Sequence, residues 1–170
     1  MHAKALLRWP ISLAFLASAA FAATTVRAEC LALSAHVDVC ETEHATLDPT
    51  YRKNPALAGL GRAALLLDTN PRLSVSVLHR ERRSEGTLLE TIYQMAGETG
   101  VSESDIIHRG LSGTSYVFTS ASTEYANNLL KTKAGILLVA IERPKDNATL
   151  PAIHELNARA LGTVFPKAPQ

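Results

Sequence analysis

The chain has 170 residues, of which 46% are hydrophobic, and its 17 basic and 16 acidic side chains leave a formal net charge of +1. This length is enough for one compact domain with its own core, but it is short for two. Nucleic-acid-binding domains are typically strongly basic, so this charge balance predicts no nucleic-acid partner.

Residues 1–28 have the composition of an export signal. Lys4 and Arg8 make the start cationic, an apolar run covers 11–21, and small residues follow it. The apolar run is too short to span a bilayer. The sequence therefore predicts export to the periplasm, with secretion as the alternative, and no stable membrane anchor after the signal is cleaved.

Cleavage is predicted after Ala28, and Ala22 is the alternative site, because both end a small-x-small string. Cleavage after Ala28 removes three of the 17 basic side chains and leaves 142 residues with 14 basic and 16 acidic groups, a net charge of about −2. Cys30 follows Glu29, whereas lipid-modified cysteines follow a small residue. No acyl anchor is therefore expected.

The two cysteines, Cys30 and Cys40, flank a segment in which apolar and polar residues alternate, as in a strand with one buried face. In an oxidising compartment, two cysteines in a small domain are expected to form a disulfide. A straight strand would separate their Cα atoms by roughly 33 Å, whereas the Cα atoms of a disulfide are usually about 4.4–6.8 Å apart. The chain must therefore reverse near Ser34 to His36, or one of the two predictions is wrong.

A hairpin is predicted between 63–67 and 73–78, two short apolar runs joined by the turn sequence Asp-Thr-Asn-Pro-Arg. The segment 41–61 before it contains Pro and Gly at intervals and is expected to be a loop with one helical turn. Thr87 and Glu90 then form a capping box at the start of an amphipathic helix.

Short strands are expected at 106–107 and 115–120, with glycines bracketing the turn between them. The last element, 149–165, has apolar residues at helical spacing, with Thr149 as the N-cap and Pro151 in the first turn.

The longest apolar run, 136–141, predicts a strand buried on both faces. A three-residue turn connects it to 125–132, so the two runs are expected to form a central antiparallel hairpin whose closing glycine takes a positive φ. Asn127, Asn128 and Lys131 make the first of these strands less suited to burial on both faces. That strand is therefore expected nearer the periphery of the sheet.

Together these patterns predict an α+β fold: an antiparallel sheet of about five to six strands with two amphipathic helices packed on it. The predicted organisation is a signal peptide at 1–28, a disulfide-closed N-terminal segment and loop at 29–62, the α+β core at 63–165 and a disordered tail at 166–170.

Two features resemble known families: the hairpin segment STEYANNLLKTKAGILLVAIER, at 122–143, and the closing helix that runs into LGTVF. Together they are similar to the end of exported domains of the PsbP and DcrB families, over about Ala63 to Phe165. The resemblance implies an antiparallel sheet with helices packed on it, in a binding or assembly-accessory module rather than an enzyme. The paired cysteines are not part of that family pattern.

Few residues suggest a metal-binding or catalytic site. His36, Asp38 and His44 form the one cluster with metal-binding character, and a bridged Cys40 would not join it. Ser112 lies in Gly-Leu-Ser-Gly-Thr-Ser, which departs from a nucleophile elbow where Thr replaces the second glycine. No cofactor is expected.

Three aromatic side chains, Tyr116, Phe118 and Tyr125, are candidates for a partner-binding surface, because aromatic residues are enriched at interface centres. The alternative is that they belong to the core. The sequence therefore predicts a non-catalytic exported domain that binds or helps assemble an envelope or secreted protein partner. A small metal-handling protein or hydrolase that uses the His36 to His44 cluster is the alternative.

Overall fold

The structure is a computed structural model that describes residues 28–81, 85–109 and 114–167. Ten strands lie in these residues: β1 (Cys30–Ser34), β2 (Val37–Cys40), β3 (Ala45–Leu47), β4 (Arg62–Leu67), β5 (Ser74–Glu81), β6 (Ile107–Arg109), β7 (Thr114–Thr119), β8 (Thr123–Lys131), β9 (Gly135–Pro144) and β10 (Val164–Pro166). The α-helices there are α1 (Pro49–Lys53), α2 (Glu85–Glu98) and α3 (Ile153–Leu161), and short 3-10 helices cover Pro55–Leu60 and Glu103–Asp105.

The strands form two antiparallel sheets, one with the order β3-β4-β5-β9-β8-β7-β6 and one with the order β1-β2-β10. The predicted α+β class is confirmed, but the predicted single sheet of five to six strands with two helices is wrong. The unpredicted strand β3 has only three residues, too few for a periodic pattern. The N-terminal hairpin pairs with β10 from the other end of the chain, so it forms a sheet of its own.

The central hairpin is confirmed, since β8 and β9 pair in antiparallel register with Leu130 opposite Leu137. The turn between them closes differently from the prediction. The Thr132 hydroxyl lies 3.0 Å from both the backbone nitrogen and the carbonyl oxygen of Gly135. Because the threonine side chain ties the turn together, Gly135 does not need a positive φ and does not have one.

Strand β8 is internal, between β9 and β7, so the prediction that it lies nearer the periphery is wrong. Asn127 and Asn128 are 1% and 3% exposed. Asn128 meets hydrogen-bond partners in β9 and α3. Asn128 does not require an edge position, because β9 and α3 satisfy its side chain.

Both faces of β9 are covered over 136–139. Leu137, Val139 and Ile141 belong to a core shared with α3 and the three-stranded sheet. Ile136 belongs to a second core, formed with α2, and Leu138 packs against it. The predicted burial on both faces is therefore confirmed for 136–139, because successive side chains of a strand point to opposite faces, whereas Ala140 is only half-buried.

The N-terminal hairpin reconciles the strand pattern with the disulfide. Cys30 and Cys40 are directly opposed in β1 and β2, with their Cα atoms 4.0 Å apart, and their sulfurs are bonded. The chain reverses after Ser34, whose hydroxyl accepts a hydrogen bond from the backbone N–H of His36 at 3.1 Å. A serine side chain therefore supports the reversal without glycine or proline.

The segment 29–62 is part of the main core rather than an appendage. Leu33 and Val37 of the hairpin lie in the same core as Leu65, and β3 is a strand of the large sheet.

At the other end of the chain, the predicted tail begins in ordered structure, since Lys167 contacts Asp38 at 2.8 Å. Of the predicted signal and tail, residues 1–27 and 168–170 lie outside the described residues.

The helix starts differ from the predicted ones. Helix α2 begins at Glu85, so Thr87 lies inside its first turn and is not its cap. Helix α3 begins after Ala152 without a side-chain cap, and the Thr149 hydroxyl instead donates to Asn147 at 2.6 Å. None of the described helices has the length and apolar character needed to cross a membrane.

Candidate functional site

One face of the seven-stranded sheet is only partly covered. Helix α2 packs on this face over residues of β5, β9, β8 and β7, but the described residues of this core include none from β3 or β4. The uncovered part, called here the open face, consists of Thr46, Leu66, Ser74, Ser76, Ala140 and Glu142. These side chains share a face because Thr46 opposes Leu66, Leu66 opposes Ser74, and Ser76 opposes Ala140.

Two adjoining cavities lie on the open face. The larger has a volume of about 390 Å³, and its walls include Ser74, Ser76, Thr123, Ala140 and Glu142. The smaller, of about 250 Å³, is walled by Glu43, Ala45, Thr46, Leu66, Asp68 and Arg72. Arg72 lines both cavities. The two cavities therefore adjoin at Arg72, and together they are called here the groove.

The groove runs across the strands rather than along them. Its walls come from β3, β4, β5, β9 and β8, which are neighbours in that order. Four spacings of about 4.8 Å between adjacent strands give a length of about 19 Å. An extended chain of about six residues has that length.

Charged side chains of both signs line the groove without neutralising one another. Asp68, Arg72 and Glu142 form no ion pair within the described parts of the chain. Glu43 lies 3.2 Å from His44. The lining of the groove thus contains three carboxylates and one guanidinium group, so its walls are acidic overall.

The three aromatic candidates lie in the core under α2. Tyr116, Phe118 and Tyr125 are 6%, 1% and 8% exposed. The rings of Phe118 and Tyr125 are stacked with centroids 4.7 Å apart, and Tyr116 meets the His108 ring edge-on at 4.8 Å. The structure therefore brings all three together, but as the core packing that the sequence left open as the alternative.

The residues of the predicted metal cluster are separated. His36 lies in the turn after β1, Asp38 contacts Lys167, and the Cys40 sulfur is in the disulfide. No group of three His, Cys, Asp or Glu side chains in the described residues is close enough to hold a metal ion. The reversal of the hairpin, which a straight strand would lack, separates these residues. Ser112 lies outside the described residues.

His79 has an environment that sequence reasoning did not identify. It lies in β5, with its Nε2 atom 3.4 Å from the Thr132 hydroxyl. Burial lowers the pKa of His79, and the nearby positive charges of His36 and Arg80 lower it further. The two histidines come from different sheets, so their proximity has no local signal in the sequence.

The open face does leave a signal in the sequence. Ser74 and Ser76 alternate with Val75 and Val77, which lie in the core. This period-two pattern indicates one solvent-facing side of β5. The apolar run of β9 gives no such signal for the open face. Ala140 is apolar like its neighbours, although it lines the groove.

The chain was compared with known proteins. No protein-family model matches it, and neither a curated protein nor a solved structure gives a significant match.

Proposed function

We propose that this protein is an exported, non-catalytic domain that binds a protein partner in the cell envelope. The observation that carries the proposal is the open face, where the large sheet presents exposed hydroxyl and charged side chains instead of a covering element. The opposite face of the same sheet is covered by α3 and the three-stranded sheet. A partner that binds the open face would cover it, as α3 and the three-stranded sheet cover the opposite face.

Two features support export. The chain begins with a cationic and apolar segment of the kind that directs secretion. Cys30 and Cys40 form a disulfide, and disulfides persist mainly in oxidising compartments. The resemblance of 63–165 to PsbP and DcrB domains supports a binding or assembly role over catalysis.

The shape of the groove supports a polypeptide as the partner. It is long, at about 19 Å by the strand spacing, and it is shallow enough that Ser74 and Ser76 remain exposed. Small-molecule sites are typically concave and enclose most of the ligand surface. The hydroxyls of Thr46, Ser74, Ser76 and Thr123 line the groove and can donate to or accept from the backbone groups of an extended segment.

A site-specific crosslinking experiment tests this function. A photoreactive amino acid at Ser76, on the open face, should form a covalent adduct with one protein in intact cells. The same amino acid at Ala158, an exposed residue of α3, should not form that adduct. Adducts at neither position, or identical adducts at both, would contradict the proposal. The intact mass of the exported protein tests the cleavage after Ala28.

A further inference from the structure

We propose that the groove binds an extended segment of the partner that carries two basic side chains, four positions apart. This inference rests on the proposed function and specifies the chemistry of the same site. It draws on the charges of the groove, on their separation across the sheet, and on the lack of ion-pair partners for Asp68, Arg72 and Glu142 among the described residues.

The signs of the charges define the complementary ligand. Glu43 and Asp68 lie at the β3–β4 end of the groove, and Glu142 lies on β9. Asp68 and Glu142 have no ion-pair partner in the described parts of the chain. Carboxylates that are not paired within the domain are available to lysine or arginine side chains of a ligand.

The separation of the carboxylates defines the spacing. Two to three strand spacings lie between the β3–β4 end and β9, which corresponds to about 10–14 Å. Residues four positions apart in an extended chain point to the same face and are separated by about 13 Å. Two basic side chains at that spacing would therefore reach both acidic ends of the groove at once.

The middle of the groove adds a second condition. Arg72 lies between the two ends and lines both cavities, and no described carboxylate pairs with it. A ligand residue between the two basic positions therefore meets a positive charge, which favours an acidic or polar side chain and disfavours a third basic one. The hydroxyls of Ser74 and Ser76 are beside it. The expected pattern is basic, polar or acidic, basic.

Selection from a displayed library of random peptides, about a dozen residues long, tests the proposal with the purified protein as bait. Enriched peptides should carry two basic residues four positions apart. The double variant Asp68→Lys with Glu142→Lys should weaken the binding of an enriched peptide by about tenfold or more, because it reverses both ends of the groove. Added salt should weaken wild-type binding as well.

The control is matched in charge. Glu103→Lys with Glu155→Lys changes two exposed carboxylates, one in the 3-10 helix after α2 and one in α3, and should leave peptide affinity within about twofold. If Asp68→Lys with Glu142→Lys lowers the thermal midpoint, the neutral variant Asp68→Asn with Glu142→Gln replaces it. That variant should weaken binding by about threefold or more.

Several outcomes would overturn the proposal. These are a library without enrichment, enrichment of peptides that lack the basic pair, or equal affinity in both double variants. Self-association of the protein that disappears with Asp68→Lys and Glu142→Lys would assign the open face to a second copy instead. If the Ser76 crosslink persists in that variant, the proposed function holds and this inference fails; if no crosslink forms at Ser76 at all, the proposed function itself fails.

Discussion

Asn128 and Asn157 form a reciprocal amide pair that joins the centre of the large sheet to α3. The Asn128 side-chain nitrogen donates to the Asn157 oxygen at 2.7 Å, and the Asn157 nitrogen donates back at 3.1 Å. The same Asn128 nitrogen also donates to the Val139 carbonyl at 3.1 Å. Both polar atoms of a buried strand residue are thus satisfied by two different elements.

Replacing Asn128 by Leu should lower the free energy of unfolding by about 2–4 kcal/mol, because it leaves the Asn157 amide half-buried without its partners. Chemical denaturation with an unchanged m-value would measure this loss. A loss below about 0.5 kcal/mol would mean that the amide pair does not contribute to stability.

The adjacent residue provides a matched comparison. Asn127 is equally buried, but it points to the other face of β8, and its side-chain nitrogen has no hydrogen-bond partner within the described residues. Asn127→Leu should therefore leave the free energy of unfolding unchanged or raise it by up to about 1 kcal/mol. A loss as large as that of Asn128→Leu would show that the Asn127 amide is satisfied in solution.

Arg143 connects the sheet to the loop that precedes α3. Its guanidinium group contacts Glu124 at 2.5 Å and the Pro151 carbonyl at 2.7 Å, and it also donates to the Asn147 and Leu150 carbonyls at 3.3 Å. Arg143→Met should cost about 2–4 kcal/mol, because it leaves these acceptors unpaired. Faster amide hydrogen exchange in 145–152 would locate the loss in this loop.

Arg159 is the control for the arginine experiment. It pairs with Glu155 on the surface of α3 at 2.6 Å, in an i,i+4 arrangement. Arg159→Met should cost less than about 1 kcal/mol, because exposed ion pairs contribute little. Equal losses for Arg143→Met and Arg159→Met would contradict the special role of the Arg143 contacts.

Acid should destabilise the protein through His79. Its folded pKa lies below the ordinary value of 6.5, because of burial first and the charges of His36 and Arg80 second. The unfolded chain therefore takes up a proton at higher pH than the folded one. The resulting stability is fully present above pH 6.5 and decreases as pH falls from 6.5 to the folded pKa.

His79→Leu should flatten this pH dependence, measured as thermal midpoints between neutral and mildly acidic pH. His154→Leu, which changes an exposed residue of α3, should retain the wild-type slope. If His79→Leu has the same slope as the wild type, another group is responsible for the acid sensitivity.

The disulfide should contribute to stability mainly by restricting the unfolded chain. Cys30 and Cys40 are separated by 10 positions, and closing a loop of this size corresponds to about 3 kcal/mol. Cys30→Ala with Cys40→Ala should lower the free energy of unfolding by about that amount. Thiol titration of the denatured, unreduced wild-type protein should find no free thiol.

Several features could be predicted from the sequence because their causes are local. The β4–β5 and β8–β9 hairpins follow from apolar runs joined by short turns. The bridge between Cys30 and Cys40 required a reversal near Ser34, and the structure has it there. Alternation along β5 separates Val75 and Val77 from the serines of the open face. Turn chemistry and strand periodicity depend on residues that are close in the chain, so hairpins and strand faces can be predicted from a single segment.

Other features were decided only by the tertiary structure. Asn128 is buried in the interior strand β8, where its side chain is satisfied by Asn157, 29 positions away in the chain. The three-stranded sheet forms because β10, which is distant from β2 in the chain, pairs with it. The groove requires β3, β4, β5, β9 and β8 to be neighbours while α2 covers only part of their shared face. Such features arise from contacts between distant segments, and the free energy that selects them is gained only when those segments pack together.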